Sequence, residues 1–332
     1  PDRIPKALKF KTQQGDQYSR LYSEKMVAMM EELLLPRYGL TKYLNEAKAE
    51  EASRAEKQLI ENLSKAGQRI MGFCKSTFFK RMDSSGFAFL LTLKRHILRN
   101  AIFLYAIDNK LNLPIGDENS LPDDFMEDED ANGMFDMGDD NQDSDDLIIP
   151  TDMEYYEQKA KKHYELLMQK NNVNWLNSKY FIIKMIQLCG QWKTKEDQKL
   201  NELYKLVTET YPKDKIVLFT QYSDTAKYLC RQLRKKNVKR IDIATGDSKN
   251  TTNIVEHFSP VSNEKSYPAD QQSRILIATD VLSEGQNLQD AHIIINYDLP
   301  WAIIRLIQRA GRVDRIGQQS DHIDCYSFFP AD

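Results

Sequence analysis

The residues best suited to chemistry form one run, residues 308–318, with the sequence Gln-Arg-Ala-Gly-Arg-Val-Asp-Arg-Ile-Gly-Gln. Positions i, i+4 and i+7 of a helix share one face, which predicts that Gln308, Arg312 and Arg315 project together. Gly311 removes a side chain between them and permits another surface to approach closely. Because a guanidinium offers a planar fork of donors, two of them aimed one way suit the phosphate oxygens of an oligoanion. A solvated basic helix face, paired with nearby acidic residues, is the alternative interpretation.

A parallel sheet is the element that would position this run. From Lys213 onward, short apolar runs rich in β-branched residues alternate with helical patterns of eight to fourteen residues. This texture predicts βαβ units, and therefore an α/β fold with helices on both faces of a parallel sheet. Right-handed crossovers place the carboxyl ends of the strands along one edge, where we expect ligand contacts. The predicted strands cover residues 215–220, 240–244, 275–279, 293–297 and 323–328.

Composition divides the 332 residues into four segments. Residues 1–116 are predicted as a basic helical region, with 20 Lys and Arg against 12 Asp and Glu. Residues 117–146 hold 14 acidic residues and no basic one, which predicts a disordered linker or surface loop. Residues 147–212 are predicted as a helical connector, and residues 213–332 as the α/β lobe. Without the acidic segment the formal charge of −3 becomes +11, since 46 basic residues then face 49 − 14 = 35 acidic ones.

Several classes of protein do not fit the composition. The chain is 41% hydrophobic and 29% charged, and its apolar runs are far too short to span a membrane. No cationic and then apolar leader follows Pro1, so we expect no signal peptide. The four cysteines are dispersed without a Cys-x-x-Cys pair, which favours a reducing, cytoplasmic location and predicts no metal site.

The run over 308–318 resembles motif VI of superfamily 2 helicases and translocases, and its Arg-Ile-Gly-Gln tail is typical of the Swi/Snf-type branch. Residues 215–223 resemble motif IV, residues 275–288 motif V, and residues 293–301 the strand and turn that lead into motif VI. The wording Ser-Glu-Gly-Gln-Asn at 283–287 is similar to the bacterial RapA/HepA-like group. The resemblance covers about 120 residues and implies a second RecA-like lobe, preceded by a mostly helical insertion region.

The resemblance implies roles around a bound ATP. Arg312 and Arg315 resemble arginine fingers that reach the γ-phosphate held by the first lobe, and Gln308 resembles the glutamine that sets the nucleotide and water geometry. Gly285, Asn287 and Gly311 are similar to positions close to the nucleotide. Gly285 as a turn glycine and Asn287 as a cap are the simpler interpretations.

The resemblance also implies contacts to nucleic acid. Thr279 is similar to the motif V threonine that contacts the backbone, and Asp280 to the residue that couples this contact to the ATP cleft. A helix cap is the alternative for both. Weaker candidates for backbone contacts come from the ends of other strands and from the basic helices: Thr220, Gln221, Gly246, Lys80 and Arg81. The alternative for the basic helices is an ordinary solvated surface.

The chain contains no G-x-x-x-x-G-K-[S/T] loop and no Asp-Glu-x-His or Asp-Glu-x-Asp run after a buried strand. We therefore expect the C-terminal half of an ATP-dependent Swi/Snf-type helicase or duplex translocase, inactive alone. ATP and Mg²⁺ would be bound mainly by a first RecA-like lobe. The expected partners of this chain are that lobe and double-stranded nucleic acid, with DNA favoured over RNA. The competing functions are a non-enzymatic nucleic-acid or partner-binding module, and an unrelated α/β nucleotide-binding fold such as a transferase lobe.

Overall fold

In the computed structural model, one sheet lies between two clusters of buried apolar residues. The structure describes residues 1–33, 54, 57, 72, 74–111, 147, 149–168, 179–246, 248, 250–280, 282, 286–300 and 302–331. The predicted linker over 117–146 lies outside the described residues. Within the described part of the chain, no helix is both long enough and apolar enough to cross a membrane.

Six parallel strands form one sheet. In chain order they are β1 (Asp2–Phe10), β2 (Ile216–Phe219), β3 (Ile241–Ala244), β4 (Ile275–Ala278), β5 (Ile293–Asn296) and β6 (His322–Pro330). Across the sheet the order is β1-β6-β5-β2-β4-β3. The three central strands β2, β4 and β5 are buried at every position, as expected of short strands covered on both faces. The predicted RecA-like parallel sheet with helices on both faces is confirmed.

Ten helices are described over continuous stretches of the chain, and they surround and precede the sheet. The first six are α1 (Gln17–Leu21), α2 (Glu24–Glu32), α3 (described over residues 74–84), α4 (Gly86–Asp108), α5 (Met153–Met168) and α6 (Lys179–Cys189). The remaining four are α7 (Gln198–Lys205), α8 (Ser223–Lys235), α9 (Thr251–Phe258) and α10 (Ile303–Ala310). Two 3₁₀ turns (Thr194–Glu196 and Val261–Asn263) and one π turn (Leu206–Thr210) complete these elements in the described residues.

The edge strand β1 differs from the sequence expectation, which placed only helices in residues 1–116. It runs parallel to β6 from the Asp2–His322 pair to the Phe10–Pro330 pair. Most of its side chains are exposed, and its sequence therefore contains no apolar run of the kind that predicts a buried strand. Pro5 is tolerated because an edge strand needs hydrogen bonds on one side only. Lys6 fastens the strand to the sheet by donating to Asp324 at 2.6 Å.

The helical part and the lobe share a continuous apolar core. The ring of Phe87 on α4 stacks on Tyr228 of α8, with 4.5 Å between the ring centroids. Trp192 lies so close to Gly86 that an added Cβ would stand 2.1 Å from the indole ring. The buried carboxylate of Asp197 accepts hydrogen bonds from Tyr18 and Tyr228, both at 2.7 Å. The position of the lobe is therefore fixed by tight packing against the helices before it.

Candidate functional site

The carboxyl edge of the central strands brings several predicted site residues together. Phe219, the last residue of β2, pairs with Ala278 of β4 on one side and with Asn296 of β5 on the other. The next residues along these strands, Thr220 and Thr279, therefore lie at one edge of the sheet. The loop after β5 delivers Asp298 to the same edge.

Arg309 joins this edge to helix α10. Its side chain is 1% exposed, and its Nε and Nη2 donate to the two carboxylate oxygens of Asp280 at 2.7 and 3.1 Å. Its Nη1 donates to the Asn296 side chain at 3.2 Å and to the Asp298 carbonyl at 3.3 Å. Its guanidinium also stands 5.4 Å from the centroid of the Phe219 ring. Arg309 thus links the ends of β2, β4 and β5 to the run over 308–318.

The second half of the run folds back on the segment after β4. Arg315 donates from Nη1 to the Asn287 side-chain oxygen at 3.0 Å and from Nε to the Gly311 carbonyl at 3.1 Å. The backbone N–H of Leu288 donates to the carbonyl of Arg312 at 3.2 Å. The structure therefore brings four predicted residues together: Asn287, Gly311, Arg312 and Arg315. Gly285 lies outside the described residues.

The helical spacing used to group Gln308 with the two arginines is wrong beyond residue 310. Helix α10 ends at Ala310, and Gly311 caps it before a series of turns. Arg312 and Arg315 therefore lie past the helix, and their proximity comes from the turns and the Asn287 contact. Gln308 is exposed on α10, whereas both arginines are half-buried.

This donor set fits an anionic phosphate group. Two guanidiniums and an exposed amide supply N–H donors within one short stretch of chain. Among the described residues, no group of three or more His, Cys, Asp or Glu side chains could hold a metal ion. The donors present thus suit the oxygens of a phosphate group.

Thr220 does not reach the solvent. It is fully buried, and its hydroxyl donates to the carboxylate of Asp298. Its only proton is therefore given to Asp298, and its expected contact with a nucleic-acid backbone stays a prediction. Gln221 is half-buried; its backbone N–H donates to Asp298 at 2.9 Å and its side chain to the Leu299 carbonyl at 3.0 Å.

The other predicted backbone contacts have mixed surroundings. Thr279 is 6% exposed, and its backbone N–H donates to the Ala244 carbonyl at 2.9 Å. Gly246 is exposed in the turn after β3, and Lys80 is half-buried on α3. Their contacts with nucleic acid stay predictions.

Arg81 lies in an ion cluster between the helical part and the lobe, and its contact with nucleic acid stays a prediction. Its Nη1 donates to Asp224 at 2.9 Å, and Arg95 of α4 binds the same carboxylate at 2.6 and 3.0 Å. Burial alone would raise the pKa of Asp224, but the guanidiniums of Arg95 and Arg81 outweigh it and hold that pKa at about 2. The charge of Arg81 therefore docks α3 onto α8.

Sequence reasoning missed three polar residues of this edge: Arg309, Asp298 and Ser84. Arg309 and Asp298 lie within the stretches 308–318 and 293–301 that the sequence analysis identified as motifs, and this position was the only indication of their importance. Ser84 carried no signal, since the Ser-Ser-Gly sequence over residues 84–86 indicates only a turn between two helices.

Comparisons with known proteins found similarity over the part of the chain that carries this edge. Residues 198–317 match the family described as helicase conserved C-terminal domain. The chain is 34% identical over 108 residues to "Uncharacterized ATP-dependent helicase YqhH" of Bacillus subtilis, a match that covers 32% of this chain and 18% of that protein. It is 31% identical over 130 residues to "ATP-dependent RNA helicase DBP8" of Kluyveromyces lactis, covering 39% of this chain and 28% of the relative.

Among solved structures, the chain is similar to the C-terminal part of the Fun30 ATPase domain, with a TM-score of 0.44 and 14% identity. That match covers all of this chain and 86% of the other. The sequence matches to curated relatives, by contrast, span between about a fifth and three tenths of their length.

Proposed function

We propose that this chain is the C-terminal half of an ATP-dependent, Swi/Snf-type superfamily 2 helicase or duplex nucleic-acid translocase. The observation that carries the proposal is the cluster of Arg312, Arg315, Asn287 and Gly311 beside the carboxyl edge of the sheet. The family match over residues 198–317 supports it independently.

The role of the chain in ATP hydrolysis would be electrostatic. ATP with Mg²⁺, held by a first RecA-like lobe, would supply the phosphoryl group that is transferred to water. Arg312 and Arg315 would donate to its phosphate oxygens, and Gln308 would orient the groups around them. Guanidiniums in this position stabilise developing negative charge, and their loss typically costs about 10³–10⁵ in rate.

The exposed face of α10 supports a partner lobe at this place. Ile303, Ile304 and Ile307 are 74%, 57% and 51% exposed, while the opposite face buries the charged Arg309. A helix of a complete globular protein normally turns its apolar face inward. Because these three isoleucines adjoin Gln308 on the same helix, we propose that the first lobe covers them when it approaches the arginines.

Nucleic acid would lie along the same edge of the sheet. Thr279, Gln221, Gly246 and Lys80 are the proposed backbone contacts, and Asp280 would couple them to α10 through Arg309. Such contacts recognise phosphates and sugars, so binding would be independent of sequence. Double-stranded DNA is the proposed substrate. The DBP8 relative is named an RNA helicase, so both nucleic acids belong in the test.

The proposal is tested by nucleic-acid-stimulated ATP hydrolysis of the chain combined with a first RecA-like lobe. Arg312→Ala and Arg315→Ala should each lower the turnover number by at least about 10³-fold. Lys195→Ala, which removes an equal charge from an exposed position in another turn, is the control and should hydrolyse ATP normally. Normal turnover in both arginine variants would contradict the finger assignment. Nucleic-acid binding without any hydrolysis would instead favour a non-enzymatic module.

A further inference from the structure

The corner between α3 and α4 reaches into the candidate site. Ser84 ends α3, α4 begins at Gly86, and the Ser84 side chain is fully buried. Its hydroxyl stands 2.6 Å from the Asp298 carboxylate and 2.8 Å from the hydroxyl of Thr225. A residue of the helical region therefore contacts the loop after β5 and the start of α8.

The number of protons available on each group determines the direction of these hydrogen bonds. An ionised carboxylate only accepts, and each hydroxyl has one proton to donate. Ser84 and Thr220 both donate to Asp298, together with the backbone N–H of Gln221. Thr225 must then donate to Ser84. Asp298 thus gathers donors from the helical corner and from the loop after β2.

The backbone of the corner between α3 and α4 is held in place by the buried side chain of Lys199. Lys199 is buried, and its ammonium donates to the carbonyls of Asp83 and Ser84 at 2.7 and 3.0 Å. The same ammonium lies 4.4 Å from the centroid of the Tyr297 ring, next in sequence to Asp298. Burial lowers the pKa of Lys199 to about 8, partly offset by the charges of Asp298, Asp197 and Asp83. The position of the Ser84 hydroxyl is consequently fixed from two sides.

We infer that Ser84 is a positioning residue, through which the helical region holds the loops after β2 and β5 in place. These loops are tied to each other because the Gln221 side chain donates to the Leu299 carbonyl at 3.0 Å. The inference rests on the proposed function, in which Gln221 faces nucleic acid. Without the Ser84 hydroxyl, Asp298 loses one of its donors, and both loops gain freedom to move away from the binding position.

Two variants isolate the hydroxyl. Ser84→Ala removes the hydroxyl. Ser84→Cys keeps a side chain of similar volume but provides a much weaker donor, and it is the variant to use if the alanine variant does not fold. Thr92→Ala is the matched control: Thr92 is buried on the same part of the chain, yet its hydroxyl donates to the Ala88 carbonyl of its own helix at 2.9 Å. It reaches neither loop.

Two measurements on the whole chain decide the outcome. Hydrogen exchange of the Gln221 amide should accelerate at least about fivefold in the Ser84 variants and not in Thr92→Ala. Fluorescence anisotropy with labelled duplex DNA and RNA should show about five- to tenfold weaker binding for the Ser84 variants only, the size of one lost hydrogen bond.

Each failure has its own meaning. Equal Gln221 exchange in the Ser84 variants and the control would overturn the positioning role. Faster exchange with unchanged affinity would overturn its bearing on nucleic acid. Absence of binding by the unaltered chain to either nucleic acid would count against the proposed function itself, and the inference would fall with it.

Discussion

At the scale of single residues, neighbouring arginines of one run have different surroundings. Arg309 is buried with its charge balanced by Asp280, whereas Arg312 and Arg315 are half-buried beyond the end of α10. The sequence predicted the importance of the run, and of Arg312 and Arg315 within it. It could not distinguish the buried arginine, because burial depends on where β4 and β5 end relative to α10.

Arg309→Ala should destabilise the chain strongly. It leaves Asp280 and the Asn296 side chain without their main donor, and breaking a buried ion pair typically costs about 3–5 kcal/mol. Denaturant unfolding followed by circular dichroism measures the free energy of unfolding. Arg305→Ala is the matched control, since Arg305 is half-exposed and binds the same carboxylate at only 3.3 Å. Its loss should cost under about 1 kcal/mol, and a similar loss in both variants would contradict the role given to Arg309.

Asp224 should make the chain sensitive to acid. Its pKa is held at about 2 in the folded chain, below its ordinary value of 3.8. A lowered pKa stabilises the fold above pH 3.8, and this contribution is lost as the pH falls from about 4 towards 2. The total is about 2 kcal/mol by the usual conversion of pKa into free energy.

The measurement is the unfolding free energy of the chain and of Asp224→Asn between pH 6 and pH 2. The variant should start less stable, since Arg81 and Arg95 lose their partner, and should lose less stability on acidification. Parallel pH profiles for the two proteins would show that the cluster does not titrate as described.

At the scale of elements, the sequence predicted the buried strands better than the exposed one. Four-residue apolar runs such as Ile293–Asn296 stand out because both faces of the sheet are covered. The edge strand β1 has charged residues scattered along it and pairs only with β6, so nothing local distinguishes it from a loop. The predicted helical connector is interrupted near its end, where a 3₁₀ turn, α7 and a π turn follow one another. Asp197 begins α7 by accepting a hydrogen bond from the Leu200 N–H at 3.0 Å.

The exposed face of α10 provides a prediction at this scale. Ile304→Gln with Ile307→Gln should leave the free energy of unfolding within about 0.5 kcal/mol, because both side chains are already more than half exposed. The same pair of changes should weaken association with the first lobe by at least tenfold, measured by titration calorimetry. Leu111→Gln is the control, being 39% exposed just past the end of α4, far along that helix from the sheet. Unaltered association in the double variant would show that the partner covers a different surface.

At the scale of the whole molecule, the distribution of charge is only partly a guide to binding. The basic excess of residues 1–116 suggested a phosphate-binding surface, yet Arg81, Arg95 and Arg99 are buried or bound within the chain. The sequence could not show this, because the compensating carboxylate of Asp224 lies more than a hundred residues away.

The acidic segment 117–146 offers a test at this scale. If it competes with nucleic acid for basic surfaces, its deletion should strengthen duplex binding several-fold at low salt and less at high salt, so that the affinity depends more steeply on salt. The measurement is the dissociation constant at several salt concentrations. A deletion that replaces the segment with an uncharged Gly-Ser linker of equal length controls for chain length. Unchanged affinity would leave the segment with no role in competition.

The core that the helices and the lobe share limits which chimeric proteins can fold when the helical region of one protein is joined to the lobe of another. Asp224 and Asp298 of the lobe are matched to Arg81, Arg95 and Ser84 of the helical side by hydrogen bonds. A lobe transplanted without its own helices would expose two buried carboxylates and the ring of Tyr228 at once. Chimeras that exchange helical regions between related proteins should therefore yield soluble products only when these five positions are exchanged together.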